Sequence, residues 1–423
     1  MGTIPQEIAQ KVQAIGARDI VVGIPTYNSA GRIADVVRTA YRGLQEYFPS
    51  ARGLLINADG GSKDGTLEEI RQAIPEPALL QITYPLYPVH VLTTPNSSVP
   101  GTSRAIRTIF QAAQGLGAKA CVIVDSDHLN LQPEWMDRMI RPVFKEPFDL
   151  AIPYYARHKF DGTIMTGIVS PAMRALYGKR IRQPIHNEFC LSRSLLDQIA
   201  SQDAGNATVE EAVTGVWFTI RSLCAGARIC QIAIGARFQN PRESTSDISK
   251  TLSEVVGTVF AEMERTASVW QKVRGSEPIP ILGETTALDT GEVKVDVGKM
   301  LGSFRTGFEN LYDLWGLVLP PSTLLELKKL VRRPPEQFRF PDTVWAQIVY
   351  DFAVGYHVRA INRDHLLGAL TPLYLGWVAS FVLELETAGM ERVAARLDEL
   401  CRSFEVQKPY LISRWRWPDR FNP

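Results

Sequence analysis

The sequence is poor in the residues that build metal clusters and disulfide frameworks. Its 423 residues include five cysteines and six histidines, and no two cysteines form a C-x-x-C pair. Cys121 lies inside an apolar run, ACVIV. This pattern argues against a disulfide-stabilised secreted domain and against a structural zinc site, and it favours a reducing compartment.

The chain also lacks an excess of charge of either sign. Its 46 lysines and arginines nearly balance 45 aspartates and glutamates, so no overall electric field attracts nucleic acid or an anionic membrane. The first sixteen residues, MGTIPQEIAQKVQAIG, lack the apolar core of a signal peptide. We therefore expect a cytoplasmic protein that does not bind nucleic acid.

One apolar stretch, residues 366–385, is almost long enough to cross a bilayer. Pro372 interrupts it, and the charged residues Asp364 and Glu384 bracket it closely. Amphipathic helical patterns surround it on both sides. We expect a buried helix here rather than a membrane span.

The first half of the chain alternates strand-like and helix-like segments. Apolar runs predict strands at 19–28, 53–61, 89–95 and 120–127. Helical spacing of apolar residues predicts helices at 30–47, 66–74 and 101–117. Such alternation predicts an α/β fold with a mostly parallel, Rossmann-like sheet and helices on both faces.

The pattern changes near residue 245. From 250 to 272 and again from 297 to 404 helical periodicity dominates, and the segment 275–292 between them is rich in Pro, Gly and Thr. We therefore divide the chain into an α/β domain, 1–245, and a helical C-terminal domain, 246–423.

Polar segments follow the predicted strands of the first domain. PTYNS, NADGGSKDG, TTPNSS and DSDH all stand where a strand ends. Parallel strands end at the same edge of a sheet, and ligands of open α/β sheets bind at that edge. The predicted cleft is lined by Asp, Asn, Thr, Ser and backbone amides, which suits a nucleotide.

Asp125 and Asp127 follow the apolar run of the fourth strand with one serine between them. Burying either carboxylate unpaired is costly, so both are expected at the exposed end of the strand. Their oxygens suit Mg²⁺ or Mn²⁺, which stabilise the negative charge of a departing diphosphate. The alternative is an ordinary loop or helix cap, in which Asp and Ser are also common.

These motifs resemble a known enzyme family. IPTYNSAGRI, ADGGSKDGT and VDSD resemble the GT-A fold glycosyltransferases of family 2. The segments 157–189, 235–244 and 255–265 are similar to bacterial family 81-type enzymes, among them glucosylglycerate and glucosyl-3-phosphoglycerate synthases. The resemblance implies retaining transfer of a hexose from a UDP- or GDP-sugar to a small polar or anionic acceptor such as glycerate or 3-phosphoglycerate.

The resemblance also implies roles for individual residues. Those expected at the nucleotide sugar are Pro25, Thr26, Asn28, Asp59, Gly60, Gly101, Arg104 and Ser126. The expected metal ligands are Asp125, Asp127 and Gln239, and the expected acceptor-binding residues are Arg157, Lys159, Gln183 and His186. Glu188 and Arg182 are the candidate catalytic residues, although Glu188 is almost as typical of a plain surface carboxylate. A homodimer is one option for assembly.

Four positions depart from the family pattern. Thr102 stands where a donor-contacting Lys is expected, His186 replaces a glycine, Trp217 replaces an acid, and Gln239 replaces a metal-binding His. A second hypothesis is therefore a protein that keeps the fold and binds nucleotide or sugar, or supports a partner, without catalysis. A sugar nucleotidyltransferase is disfavoured because no Gly-rich loop with basic residues lies near the first strand. His128 is a candidate replacement for the missing imidazole.

Overall fold

The computed structural model describes residues 6–84, 86, 99, 101–202, 214–236, 248–285 and 295–418. The chain forms two compact units that interleave along the sequence. The first comprises Met1–Ala156, Ile185–Ser246 and Ile279–Leu288; the second comprises Arg157–Pro184, Asp247–Pro278 and Asp289–Pro423. A single division at residue 245 differs from these units in two segments: 157–184 lies in the second unit and 279–288 in the first.

The first unit is built on an eight-stranded sheet. Its strands are β1 (Ile20–Thr26), β2 (Gly53–Asp59), β3 (Leu79–Thr83), β4 (Ala120–Ile123), β5 (Leu150–Ala156), β7 (Phe189–Ser192), β8 (Ile229–Ala236) and β10 (Ile281–Leu282). Their order is β10-β8-β5-β7-β4-β1-β2-β3. All neighbouring pairs are parallel except those of β7, which runs antiparallel to β4 and β5. The mostly parallel sheet confirms the predicted α/β fold class.

Helices of the first unit pack against this sheet or against one another. They are α1 (Gln6–Ile15), α2 (Ile33–Tyr47), α3 (Thr66–Ala73), α4 (Thr102–Gly115), α5 (Pro133–Phe144), α7 (Arg193–Gln202) and α8 (Thr214–Cys224). Gly23 in β1 shows how close the packing is, because a Cβ atom there would lie 2.5 Å from Ile109 of α4. Every residue of β1 is buried, as expected for a central strand with helices on both faces.

One predicted strand of this unit cannot be compared with the structure, and one observed strand was not predicted. The strand predicted at 89–95 lies outside the described residues. The edge strand β3, Leu79–Thr83, was missed, since its run LLQIT is short and follows a proline-rich segment. The strands predicted at 19–28, 53–61 and 120–127 correspond to β1, β2 and β4.

The second unit is mainly helical, as predicted for the C-terminal part of the chain. Its helices are α6 (Ser170–Tyr177), α9 (Ile248–Arg265), α10 (Ala267–Trp270), α11 (Val297–Trp315), α12 (Pro321–Val331), α13 (Asp342–Val358), α14 (Arg363–Leu385) and α15 (Met390–Arg416). A π-helical turn, Met165–Val169, precedes α6. Two short strands, β6 (Lys179–Arg180) and β9 (Glu277–Pro278), pair in parallel.

Helix α14 contains the apolar stretch considered as a membrane span. Among the described residues it is the one helix long and apolar enough to cross a bilayer, and 72% of its most apolar window is buried within the protein. Trp377 of this helix stacks on Trp345 with ring centroids 5.7 Å apart. The helix therefore serves as part of an aromatic core in the second unit.

Candidate active site

The ends of several strands meet at one edge of the first unit. Thr26, the last residue of β1, lies in register with Asp59, the last residue of β2. Strand β4 ends beside β1, so the residues that follow it also reach this edge. Because β7 is antiparallel, its first residue, Phe189, pairs with Ile123 at the end of β4. The residues just before β7 therefore join the same edge.

Asp59 is fully buried, and its carboxylate holds the turn after β2. Oδ1 accepts hydrogen bonds from the backbone N–H of Gly61 (2.8 Å) and of Ser62 (2.7 Å). Oδ2 accepts from the hydroxyls of Thr26 (2.8 Å) and Ser62 (2.6 Å). Four hydrogen bonds fill the acceptor capacity of a carboxylate. In this conformation Asp59 shapes the turn, and contact with a nucleotide base would require Ser62 to move away.

A second set of hydrogen bonds joins the loops after β1 and β2. Asn28 adopts a left-handed backbone (φ 49°), which Asn tolerates better than most residues. Its backbone N–H donates to Ser62 Oγ (2.8 Å), and its Oδ1 accepts from the backbone N–H of Lys63 (3.1 Å). The backbone N–H of Ala30 donates to Asp64 Oδ2 (3.0 Å). These bonds hold the loops after β1 and β2 together at one side of the sheet edge.

The other residues expected at the nucleotide sugar are buried or half-buried. Pro25 and Thr26 are buried in β1, and a Cβ atom on Gly60 would lie 2.8 Å from the Tyr84 hydroxyl. Gly101 precedes α4 with a left-handed backbone (φ 64°). Arg104 is half-buried in the first turn of α4. Direct contact of any of these residues with a nucleotide stays a prediction.

The turn after β4 carries the two predicted metal ligands. Asp125 and Asp127 are half-buried, whereas Ser126 between them is 1% exposed. Asp125 Oδ1 accepts from the backbone N–H of Asp127 (3.1 Å), and Oδ2 accepts from Asn187 Nδ2 (3.2 Å). The Ser126 hydroxyl lies 3.4 Å from that of Ser29. The turn is thereby held both by its own backbone and by the loops beside it.

The oxygen donors of this turn fit a divalent cation brought in with a diphosphate. Among the described residues no group of three or more His, Cys, Asp or Glu side chains forms a cation cage. Mg²⁺, however, is commonly bound through one or two carboxylates, with water and substrate phosphates completing its coordination. Asp125 and Asp127 match that arrangement. Gln239, the third predicted ligand, lies outside the described residues.

Glu188 lies next to this turn, but it is not an exposed base. The residue is fully buried; its Oε1 lies 2.6 Å from His128 Nδ1, and its Oε2 accepts a hydrogen bond from the Tyr155 hydroxyl. The backbone N–H of Asp125 also donates to Oε1, at 3.4 Å. The expectation that Glu188 orients an acceptor or lies on the surface is replaced by a buried carboxylate that links β7, β5 and the Asp125 turn.

The sequence did not predict that His128 and Tyr155 contact Glu188. His128 was considered as a metal ligand, but its side chain is 2% exposed and its Nδ1 contacts Glu188. Tyr155 was missed altogether. The sequence did contain a signal for this contact: a tyrosine near the end of β5, a strand whose other residues are mostly apolar. A tyrosine hydroxyl buried there needs a hydrogen-bond partner.

His186 and Trp217, two of the substituted positions, are packed inside the first unit. His186 is 6% exposed, and its Nε2 lies 2.9 Å from the Thr219 hydroxyl. Burial lowers the pKa of His186 to about 4, so the ring is neutral near pH 7. Trp217 is also 6% exposed. Neither ring protrudes into solvent, and contact of His186 with an acceptor stays a prediction.

The predicted acceptor-binding residues of segment 157–184 belong to the second unit. Arg157 donates from Nε to Gln183 Oε1 (3.4 Å) and pairs with Asp161 (3.2 Å). Gln183 is 7% exposed, and Arg182 is exposed. The roles of Arg157, Arg182 and Gln183 at an acceptor stay predictions.

Lys159 has a different function from the one predicted. Its ammonium donates to the backbone carbonyls of Leu385 (2.9 Å), Glu386 (2.6 Å) and Ala388 (3.1 Å). A lysine has three N–H donors, and all three are used at the C-terminal end of α14. This end of the helix carries unsatisfied carbonyls and partial negative charge, which a cation stabilises. Lys159 is therefore a helix-capping residue rather than an acceptor ligand.

Comparison with known proteins extends this description. Residues 21–201 match the family model described as glycosyl transferase family 2. No curated protein matches the chain. The first unit contains most of the matched segment, including β2, β4 and the Asp125 turn.

Solved structures similar to this chain include glucosyl-3-phosphoglycerate synthase from Mycobacterium tuberculosis in complex with Mn²⁺, UDP and glucosyl-3-phosphoglycerate. It is 20% identical with a TM-score of 0.43, over 63% of this chain and 87% of that one. The same synthase with Mg²⁺ and UDP is 19% identical with a TM-score of 0.42, over 61% and 83%. A mycobacterial protein is 18% identical with a TM-score of 0.43, over 62% and 78%. The family match over residues 21–201 confirms the predicted resemblance to glycosyl transferase family 2.

Proposed function

We propose that this protein transfers a hexose from a UDP- or GDP-sugar to a small polar acceptor such as glycerate or 3-phosphoglycerate, with Mg²⁺ or Mn²⁺ as cofactor. One observation carries the proposal: Asp125 and Asp127 stand half-buried on a fixed turn at the sheet edge where β1 and β2 also end. That turn lies within the segment matching glycosyl transferase family 2.

The proposal assigns a role to each part of this edge. Asp125 and Asp127 would hold the cation, which would supply positive charge to stabilise the departing diphosphate. Asn187 and Ser126 keep the turn in place through the contacts described above. The loop that begins at Asn28 is proposed to contact the nucleoside. The acceptor is proposed to be small and anionic because segments 157–189 and 235–244 resemble those of glucosylglycerate and glucosyl-3-phosphoglycerate synthases.

A second candidate function is nucleotide binding without transfer. The observation that favours it is the burial of Glu188, whose carboxylate already contacts His128 and Tyr155. A general base must reach the proton that it removes, and Glu188 does not reach solvent in this conformation. The burial of His186 weighs against a cleft blocked by that ring.

The test is a transfer assay. The purified protein is incubated with UDP- and GDP-hexoses, glycerate and 3-phosphoglycerate, with and without Mn²⁺, and products are measured by mass spectrometry. The proposal predicts a metal-dependent hexosylated acceptor that Asp127→Asn reduces at least roughly 100-fold, in keeping with the loss of one charge-stabilising group. Asp35→Asn, at a side chain that is 82% exposed on α2, serves as the matched control and keeps full activity.

Each alternative result has a definite meaning. Metal-dependent nucleotide binding without product for any acceptor would favour the non-catalytic function. Neither binding nor product would overturn both. The cytoplasmic location is part of the same proposal, and it is supported by the five cysteines, none of which forms a disulfide.

A further inference from the structure

Helices α11 and α12 of the second unit carry a surface whose two parts differ in chemistry. Near the turn between the helices, three large apolar side chains are exposed: Tyr312 (41%), Leu317 (55%) and Leu325 (54%). Only ten large hydrophobic residues of the described chain are exposed to this extent, so three within fourteen positions form a local concentration. Exposed apolar clusters of this kind mark interaction sites more often than isolated residues do.

Basic side chains follow directly on α12 and after it. Lys328, Lys329, Arg332, Arg333 and Arg339 are all exposed, and the only acids between residues 325 and 339 are Glu326 and Glu336. Among the described residues, Lys329 with Glu326 (2.6 Å) is the one ion pair that these five basic residues form. The cluster is strongly positive on a chain whose net charge is only +1.

Helical geometry places the two parts side by side. Leu325, Lys328, Lys329 and Arg332 are spaced i, i+3, i+4 and i+7, which puts them on one face of α12. The opposite face, with Thr323, Leu327 and Leu330, is buried. Arg305 of α11 donates to the carbonyl of Arg333 (3.0 Å), which holds the end of α12 against α11. Tyr312 lies two turns after Arg305 on the same side of α11.

The helix dipole explains only part of this pattern. Cations in the last turn stabilise a helix, which accounts for Lys328 and Lys329. Arg333 and Arg339 lie beyond the end of the helix, and no dipole argument requires Leu317 or Leu325 to be exposed. The combination of exposed aliphatic side chains with an adjoining basic cluster is typical of peripheral membrane contact.

We propose that this surface, formed by Tyr312, Leu317, Leu325, Lys328, Lys329, Arg332 and Arg333, docks the protein on an anionic lipid bilayer. The basic groups would meet the headgroups while the apolar side chains enter the interface between headgroups and acyl chains. Glu309 and Asp313 are exposed on α11 beside Tyr312 and limit how deeply that side enters. The inference does not depend on the proposed transfer reaction.

The aliphatic residues decide between a bilayer and other anionic partners. Single-stranded nucleic acid is bound through basic grooves lined by aromatic stacking platforms, and this surface offers one tyrosine but two exposed leucines. An acidic protein would also pair with the basic side chains. Its binding would weaken in the charge variants, but it would not require Leu317 or Leu325 to insert into a bilayer. The two kinds of variant therefore separate these partners.

The test is flotation of the full chain with vesicles. The protein is mixed at low salt with vesicles of phosphatidylcholine alone or with about one third phosphatidylglycerol, and the bound fraction is measured across a salt series. The proposal predicts binding to the anionic vesicles only, weakening as salt rises. Lys328→Glu/Arg332→Glu should weaken it at least roughly 25-fold, about fivefold for each residue.

Two further variants make the result decisive. Leu317→Ser/Leu325→Ser should also weaken binding, because it removes the inserting groups while leaving the charge unchanged. Arg42→Glu/Arg71→Glu reverses two exposed basic residues of the first unit and should bind like the unchanged protein. Equal binding of all variants, or no preference for anionic vesicles, would overturn the proposal. Loss with the charge variant alone would show adsorption by charge without insertion of Leu317 and Leu325, and it would overturn the proposal too.

Discussion

The Nδ1 atom of His128 lies 2.6 Å from Oε1 of Glu188, and both side chains are buried. The same carboxylate oxygen accepts from the backbone N–H of Asp125 at 3.4 Å. The start of an antiparallel strand is thus connected to the turn that carries the proposed metal ligands. Glu188 positions this turn, on which the carboxylates of Asp125 and Asp127 are half-buried.

Replacing Glu188 with Gln tests this positioning role. An amide keeps the shape of the side chain but loses the charge and one of the two acceptor oxygens, so His128 and Tyr155 are no longer both satisfied. We expect the free energy of unfolding to fall by about 1–3 kcal/mol, together with weaker Mn²⁺-dependent nucleotide binding. Thermal denaturation and calorimetry measure the two effects.

Tyr155→Phe is the graded comparison for that variant. It removes one hydrogen bond to Glu188 and leaves the His128 contact, so its effects should be smaller in both measurements. If Glu188→Gln unfolds like the unchanged protein and binds Mn²⁺ and nucleotide equally well, the carboxylate does not hold the turn.

The buried His186 predicts a pH dependence of stability. Its folded-state pKa of about 4 lies below the ordinary value of 6.5, because burial disfavours the charged ring. As the pH falls from about 6.5 to 4, the unfolded chain takes up a proton that the folded protein refuses, so stability is lost. The full difference corresponds to about 3 kcal/mol. Chemical denaturation between pH 4 and 8 measures it.

The contribution of His186 is isolated by comparing variants. His186→Gln should flatten the loss between pH 6.5 and 4, since glutamine does not titrate. His365→Gln, at an exposed histidine of α14, serves as the control for replacing a histidine elsewhere in the protein. A profile for His186→Gln that is parallel to that of the unchanged protein would show that His186 is charged or exposed in the folded state.

Lys159→Met separates helix capping from acceptor binding. Methionine keeps the apolar stem but leaves the carbonyls of Leu385, Glu386 and Ala388 without their donor. We expect a loss of about 1–2 kcal/mol in stability and an unchanged KM for the acceptor. Lys272→Met, at an exposed lysine of the second unit, serves as the control. Unchanged stability with a raised acceptor KM would restore Lys159 as a ligand.

Gly215 tests how tightly α8 packs on the segment that precedes β7. A Cβ atom at this position would lie 1.8 Å from the backbone carbonyl oxygen of His186, so Gly215→Ala forces the backbone to shift. We expect a loss of about 3 kcal/mol or more. Gly368→Ala, in the open interior of α14, should instead raise stability by about 0.5–1 kcal/mol. Equal melting temperatures for the two variants would contradict this packing.

Local sequence patterns were sufficient for much of the first unit. The apolar runs of β1, β2 and β4 and the polar residues after them follow from strand periodicity and from the tendency of parallel strands to end together. Asp125 and Asp127 could be placed at the edge for the same reason. These inferences succeed because they depend on residues that are adjacent in the chain.

Partners that are distant in the chain were not predictable in this way. Lys159 caps a carbonyl 226 positions away, and Glu188 contacts a histidine 60 positions before it. A carboxylate at the start of a strand has the same sequence pattern whether it faces solvent or a buried imidazole. The assignment of segment 157–184 to the second unit likewise depends on long-range packing that the composition of the segment does not show.

The central claim is that the Asp125 turn binds a nucleoside diphosphate through a divalent cation. The most direct measurement is calorimetric titration of the protein with UDP and GDP, with and without Mn²⁺, repeated with Asp127→Ala and with the control Asp35→Asn. The account predicts binding of one nucleotide that requires Mn²⁺, is lost in Asp127→Ala and is retained in Asp35→Asn. Binding that is the same without metal, or that survives Asp127→Ala unchanged, would contradict it.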